Sequence, residues 1–342
     1  MANAPSDRTP LLLSSGRRAR TALVLGAGGT VGLAVHAGAL RALEEAGLDL
    51  AGADLMIGTS AGAVVSATLR AGHPVSSLWE MAHDRHPVKP GEPAFSPDVV
   101  YRQGWRTPLG LGRRLVGSSW VLGRSLVRWP PVNPPAAAQR WWRGGMASST
   151  EQRAELSEWT GADWPERDVW LVTVDIVGGR RVVLGQPGGL RPPIVDAVRA
   201  SAAVPGLYPP VRVGRRMLVD GGVHSSTNAD LAVSAGADVI IVVAPMASDP
   251  DDRPGLPLRA TRMLFDRRLD TELARARDAG IPVLVVRPSA EECRTHGVHM
   301  LRTGHHGAEA DLAYATTRRV LDTPEAQTAL RAWGEATALA QS

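Results

Sequence analysis

Residues 21–25, Thr-Ala-Leu-Val-Leu, are an apolar run that ends in glycine, and the pattern predicts a buried strand. After the glycine-rich stretch 26–32, Leu33, Val35, Leu40 and Leu43 fall on one stripe, which predicts a helix over 33–46 stopped by Gly47. A second apolar run, Leu55-Met56-Ile57, enters Gly58-Thr59-Ser60-Ala61-Gly62, and an alanine- and valine-rich run leaves it. Two strand–loop–helix units in succession predict an α/β fold with parallel strands. Over 73–165 prolines and glycines are frequent and periodicity is poor, which reads as an insertion or lid. Regular patterning returns with a strand over 169–175, its hairpin partner over 181–184 and a helix over 194–203. A strand pair within 211–219, a helix over 228–235 and a strongly apolar strand over 238–244 follow. A helix over 259–279 and a strand over 283–286 precede two C-terminal helical stretches. The expected organisation is a disordered leader over 1–20, one domain over 21–290 and helices over 291–342 that pack on it.

A chain of 342 residues with 44% hydrophobic content can bury a sizeable core. Its one cysteine, Cys293, excludes an internal disulfide and suits a reducing compartment, so a cytoplasmic location is expected. No apolar run reaches the length of a spanning helix, and Leu11-Leu12-Leu13 is too short for a signal-peptide core. The formal charge is +4, carried by arginine almost throughout. One stretch changes the picture. Between Val99 and Thr150 there is no acidic residue, while Arg102, Arg106, Arg113, Arg114, Arg124, Arg128, Arg140 and Arg143 interleave with Trp105, Trp120, Trp129, Trp141 and Trp142. Arginine with tryptophan suits a membrane interface, so peripheral membrane contact through 99–150 is one expectation. A lid with a solvated arginine face is the other. No recognised motif accompanies the charge, and no nucleic-acid partner is expected.

Three places can carry chemistry. Gly58-Thr59-Ser60-Ala61-Gly62 has the form of a nucleophile elbow, with Ser60 at the apex and glycines where side chains would clash. The same sequence also fits an ordinary strand-to-helix turn. The glycine loop 26–32 reads two ways, since free amides at a helix N-terminus can hold a pyrophosphate or a developing oxyanion. The dinucleotide pattern begun at Gly26 meets Val31 where it needs glycine, and the next strand ends in the serine turn instead of an acidic residue. The oxyanion reading is therefore preferred, with a nucleotide-binding protein using 26–32 as the alternative. Asp220 follows an apolar strand and precedes Gly221-Gly222, at the strand end where open α/β sheets build sites. A serine hydroxyl needs a base. His224, four residues beyond Asp220, is a candidate third member, and His36 reads as a packing residue inside the first helix. His296, His299, His305 and His306 match no zinc-ligand spacing, and no metal or other cofactor is expected.

Taken in order, these blocks resemble the patatin-like phospholipases. The resemblance rests on Gly28-Gly29-Thr30-Val31-Gly32 with the segment 33–40, on Gly58-Thr59-Ser60-Ala61-Gly62, and on Asp220-Gly221-Gly222. The segments 200–211 and 228–232 also look like those flanking the family's aspartate, so the likeness covers roughly 21–245. It implies a three-layer α/β/α fold with a mainly parallel sheet, interrupted here by the Arg/Trp/Pro-rich insertion. It also implies a lipid or acyl-ester substrate, and a Ser–Asp dyad in place of a triad. Ser60 matches the family's nucleophile, Asp220 its base, and the amides around Gly28 and Gly29 its oxyanion hole. Gly32, Gly58, Gly62, Gly221 and Gly222 complete the motifs. Two positions depart: the family carries Arg or Lys where Val31 stands, and glycine where Ala27 stands. These bear on rate and substrate more than on reaction type. A weakly active homologue that docks on membranes is a further alternative.

Overall fold

The computed structural model describes residues 11–83, 149–205, 207–297, 300–301 and 306–341. In chain order the first elements are β1 (Thr21–Leu25), α1 (Gly29–Glu45), β2 (Leu55–Gly58), α2 (Ala61–Arg70) and α3 (Val75–Ala82). Next come α4 (Ser149–Thr160), β3 (Asp168–Asp175), β4 (Arg180–Leu184), α5 (Ile194–Ser201), β5 (Val211–Val213) and β6 (Arg216–Asp220). A short 3-10 turn, Gly221–Val223, leads to α6 (Asp230–Ser234), β7 (Val239–Val243), α7 (Leu256–Asp278) and β8 (Val283–Val286). The helices α8 (Ala290–His296), α9 (Gly307–Leu321) and α10 (Pro324–Gln341) follow.

The strands form one mixed sheet in the order β5-β6-β3-β2-β1-β7-β8, with β4 on the other edge of β3. From β3 to β8 neighbouring strands are parallel. Alternate side chains divide the core into two layers. Leu23, Leu25, Met56, Ile241 and Val243 face α1, α2, α5 and α10, through residues such as Leu40, Val65, Val198 and Trp333. Ala22, Val24, Ile57, Trp170, Ile240 and Val242 face α6 and α7, through Leu231, Leu269 and Leu273. The molecule is therefore an α/β/α sandwich with a mainly parallel central sheet.

One feature of the topology positions the site. β4 occupies one edge of β3 over Leu171–Asp175. β2 and β6 must then share the other edge. β2 runs parallel to β3 as far as Gly58 opposite Leu171, and β6 runs antiparallel to it as far as Asp220 opposite Thr173. The two strands run toward each other along one edge, and their C-terminal ends meet at Val172.

Two expected boundaries need correction. Residues 11–20 are packed against the domain: Leu13 and Ala19 are buried, Leu11 N–H bonds the Ser234 carbonyl at 2.7 Å, and Ser14 donates twice to Asp168. Only 1–10 of the expected leader lie outside the described residues. The expected insertion begins and ends in helices. Val75 and Leu78 of α3, and Leu156 and Trp159 of α4, are buried, two anchors each, which is too few to give a periodic signal. Residues 84–148, with most of the Arg/Trp stretch, lie outside the described residues. Among the described residues no helix is long and apolar enough to cross a membrane.

Candidate functional site

Ser60 sits at the turn between β2 and α2 with φ 55° and ψ −116°, a left-handed backbone that a non-glycine residue adopts only when its surroundings enforce it. The surroundings do so from three directions. Thr59 N–H bonds the Leu25 carbonyl at 3.0 Å, Ser60 N–H bonds Ser201 Oγ at 3.2 Å, and Gly62 N–H bonds the Gly26 carbonyl at 3.2 Å. A side chain at Gly62 would overlap the Leu25 carbonyl, so α2 approaches β1 this closely only with glycine there. Ser201 Oγ in turn donates to the Val172 carbonyl at 2.7 Å, in the gap where β2 and β6 meet.

Ser60 makes no side-chain cap to α2. Its hydroxyl bears instead on the Asp220 carboxylate, whose Oδ1 also accepts from Gly222 N–H at 2.7 Å. Asp220 and Ser60 are each 4% exposed. Burial pushes the Asp220 carboxyl up from 3.8 to about 6, while Ser60 and the Gly222 amide pull it partly back. A carboxylate with a raised pKa, facing a serine hydroxyl, is equipped to take that proton.

The glycine loop lies alongside. A Cβ at Gly32 would stand 3.4 Å from Ala61 Cβ, and one at Gly222 would stand 3.5 Å from Ala27 Cβ. The N-terminus of α1, the N-terminus of α2 and the turn after Asp220 are thus brought together. Gly29 has φ 60°, and a side chain there would overlap the Met300 carbonyl. That carbonyl accepts from Val31 N–H at 3.1 Å and from Thr30 Oγ1 at 3.3 Å. Among the described residues the amides of Gly28, Gly29 and Ala61 donate to no acceptor. Amides at helix N-termini carry partial positive charge and can receive an anion.

The two departing positions are also accounted for. Ala27 is absent from the non-glycine residues with positive φ, and its N–H bonds the Ser226 carbonyl at 2.7 Å, so the methyl group is accommodated without strain. Val31 is fully buried. A cation does stand behind the loop, on α7. Arg262 is buried and donates to the Pro245 and Ala247 carbonyls at 3.0 and 2.6 Å, where Pro245 packs against Gly28.

The histidines serve other ends. His36 is fully buried and donates from Nε2 to the Gly26 carbonyl at 2.8 Å, and burial lowers its pKa to about 4, so it is neutral. His224 Nε2 accepts from Arg268 at 2.9 Å, which directs this candidate third member toward α7. His296 Nδ1 faces Arg262 at 3.4 Å, and His306 lies 3.8 Å from Glu309. His299 and His305 lie outside the described residues. Ser201, Arg262 and the Ala61 amide were not singled out from sequence. Only Ala61 carried a signal, as the residue following the nucleophile in an elbow.

A family model for the patatin-like phospholipases matches residues 23–233. An uncharacterized NTE family protein from Mycobacterium tuberculosis (strain H37Rv) is 28% identical over 264 residues, which cover 72% of this chain and 58% of that protein. A protein of the same description from Mycobacterium bovis matches to the same extent. The chain spans 58% of the length of these relatives. Among solved structures it is similar to VipD from Legionella pneumophila, with a TM-score of 0.42 and 12% identity over 94% of this chain and 72% of that one. The type III effector protein ExoU gives a TM-score of 0.37 and 18% identity over 90% of this chain and 54% of its own. The family match takes in more than half of the chain and contains the glycine loop, the elbow and Asp220, and on that ground the chain belongs to the patatin-like phospholipase family.

Proposed function

We propose that this chain hydrolyses carboxylic esters of lipids, as a phospholipase A or broader lipid acyl hydrolase, through a Ser60 acyl-enzyme. The observation that carries the reading is the left-handed Ser60, its hydroxyl against a buried Asp220, beside unpaired amides of two helices. Membership of the family supports lipid ester hydrolysis at the family level. Asp220 takes the Ser60 proton as Oγ attacks the ester carbonyl carbon. The amides of Gly28, Gly29 and Ala61 hold the oxygen as it becomes negative. Collapse breaks the bond to the alcohol, which leaves with the proton from Asp220. Water then gives a proton to Asp220 and attacks the acyl-enzyme, and Ser60 recovers its proton as the fatty acid departs. The test is hydrolysis of a p-nitrophenyl acyl ester together with fluorophosphonate labelling. Ser60→Ala is expected to abolish both, and Asp220→Asn to abolish turnover. Full activity in both variants would overturn the reading.

We also infer peripheral contact with an anionic lipid surface. The stretch 99–150 that first suggested it lies outside the described residues apart from its last two positions. Within them, α7 exposes Leu256 (80%), Met263 (43%) and Leu264 (55%) along one stripe, with Arg259 and Arg267 exposed beside them. The inner face of the same helix half carries Arg262, which backs the glycine loop. The outer stripe thus lies on the far side of the helix that backs the glycine loop, and its exposed apolar and arginine side chains suit contact with an anionic surface.

A further inference from the structure

Among the described residues two non-glycine positions have positive φ, Ser60 and Asn228, both at 55°. One side chain joins them. Asn228 is fully buried, and its Nδ2 donates to Thr59 Oγ1 at 3.1 Å and to the Ser225 carbonyl at 2.8 Å. Its Oδ1 accepts from Arg181 Nη1 at 3.2 Å, which fixes the orientation of the amide. Arg181 is held by a bidentate pair with Asp230 at 2.6 and 2.7 Å. Thr59, fully buried, is the residue before Ser60. Ser225 belongs to the turn that follows Asp220, its N–H bonded to the Gly221 carbonyl at 3.2 Å. Asn228 therefore bonds at once to the segment carrying the serine and to the segment carrying the carboxylate.

We infer that Asn228 is the positioning residue that sets Ser60 against Asp220, acting through Thr59. The inference rests on reading those two as the reacting pair. β2 and β6 reach the site from opposite directions along β3 and share no ladder with each other. Pairing with β3 brings their ends together, and Asn228 is a side chain that spans both segments and sets the finer alignment. Asparagine suits the place because it tolerates a left-handed backbone and offers a donor pair and an acceptor in one plane. A misplacement of about 1 Å at a reacting pair can cost on the order of a hundredfold in rate.

The test uses the full chain with Asn228→Gly, which keeps the left-handed backbone without strain and deletes the brace, and Thr59→Val, which deletes only the hydroxyl. Each is expected to lower kcat on a soluble p-nitrophenyl ester, and the rate of fluorophosphonate labelling, by roughly 10- to 100-fold with little change in KM. Thr59→Ser should restore the rate, and the double variant should be no worse than the poorer single variant. Wild-type rates in a folded Asn228→Gly protein, or a Thr59→Ser protein as slow as Thr59→Val, would overturn the inference. A crystal structure of Asn228→Gly separates this from failure of the hydrolase reading. Ser60 Oγ displaced from Asp220 supports the brace whatever the activity, and an unmoved Ser60 refutes it.

Discussion

At Asp220 the proposed activity and stability pull in opposite directions. In the proposed mechanism the carboxyl must be ionised to accept the Ser60 proton, and burial has raised it from 3.8 to about 6. The expected kcat/KM on a neutral ester therefore rises with pH through about 6 and then levels off. A limb near pH 4 would mean that a different, solvated carboxyl is the base. The folded chain also holds this proton more tightly than the unfolded chain, so stability is lost as pH rises from 3.8 through about 6. Asp220→Asn should then abolish turnover yet stabilise the protein at pH 7.5 by on the order of 1–3 kcal/mol, with the gain vanishing below pH ~4. Denaturant titrations at the two pH values measure it. His36 has the opposite sign. Burial lowers it to about 4, so its contribution is present above pH 6.5 and lost as pH falls toward 4. In the Asp220→Asn background, which removes the opposing carboxyl, His36→Asn should lower Tm at pH 7 and flatten its decline between pH 6.5 and ~4. The sharp turn at Ser60 and the strand end at Asp220 were legible, because elbow glycines and a carboxylate before two glycines are local signals. Their environment was not: the raised carboxyl and the neutral histidine depend on burial by segments remote in sequence.

Among the elements, what could be read was what repeats. β1, β2 and β7 are covered on both faces, so they appear as unbroken apolar runs. α1 was read from Leu33 but begins at Gly29, because its first turn is glycine-rich and helix propensity there is poor. Tertiary contact carries that turn: the Met300 carbonyl receives Val31 N–H from 269 residues away in sequence. The convergence of β2 and β6 on one edge of β3 has no local signature either, since it is set by pairing. α1 and α9 offer a direct test of such contacts. A side chain at Gly38 would overlap the Ala310 carbonyl and lie 2.8 Å from Tyr314 N, backbone atoms that cannot swing aside. Gly38→Ala should destabilise the fold by about 1–3 kcal/mol. Gly334 of α10 has open space at its Cβ position, and Gly334→Ala should stabilise by about 0.4–1 kcal/mol. A denaturation midpoint for Gly38→Ala that does not fall would contradict this packing of α1 on α9, and Gly334→Ala serves as the unhindered control.

For the whole molecule, the proposed function raises the question of how a buried serine would meet a lipid substrate. The proposed reacting pair lies at the C-terminal ends of β2 and β6, and the loop leaving β7 backs the glycine loop through Pro245. Arg262 fastens that loop to the inner face of α7, whose outer face carries Leu256, Met263 and Leu264. Acidic groups on this part of the helix are engaged: Asp266 accepts from Ser248, and Asp270 pairs with Arg287 at 2.6 Å. In the proposed contact, insertion of three apolar side chains would supply contact area, and the exposed Arg259 and Arg267 would supply attraction to anionic head groups. Two signals of this kind give reversible attachment, not permanent insertion. The full chain should co-sediment with vesicles of 30 mol% (roughly) phosphatidylserine in phosphatidylcholine at low salt and be partly released at about 0.5 M salt, where the Debye length is short. Met263→Glu with Leu264→Glu should reduce binding several-fold and slow hydrolysis of vesicle lipid, while activity on a soluble p-nitrophenyl ester stays at the wild-type level. Unchanged binding in that variant would assign any membrane contact to a surface other than α7. Loss of activity on the soluble ester as well would mean that the outer face of α7 supports the glycine loop and does not merely dock it.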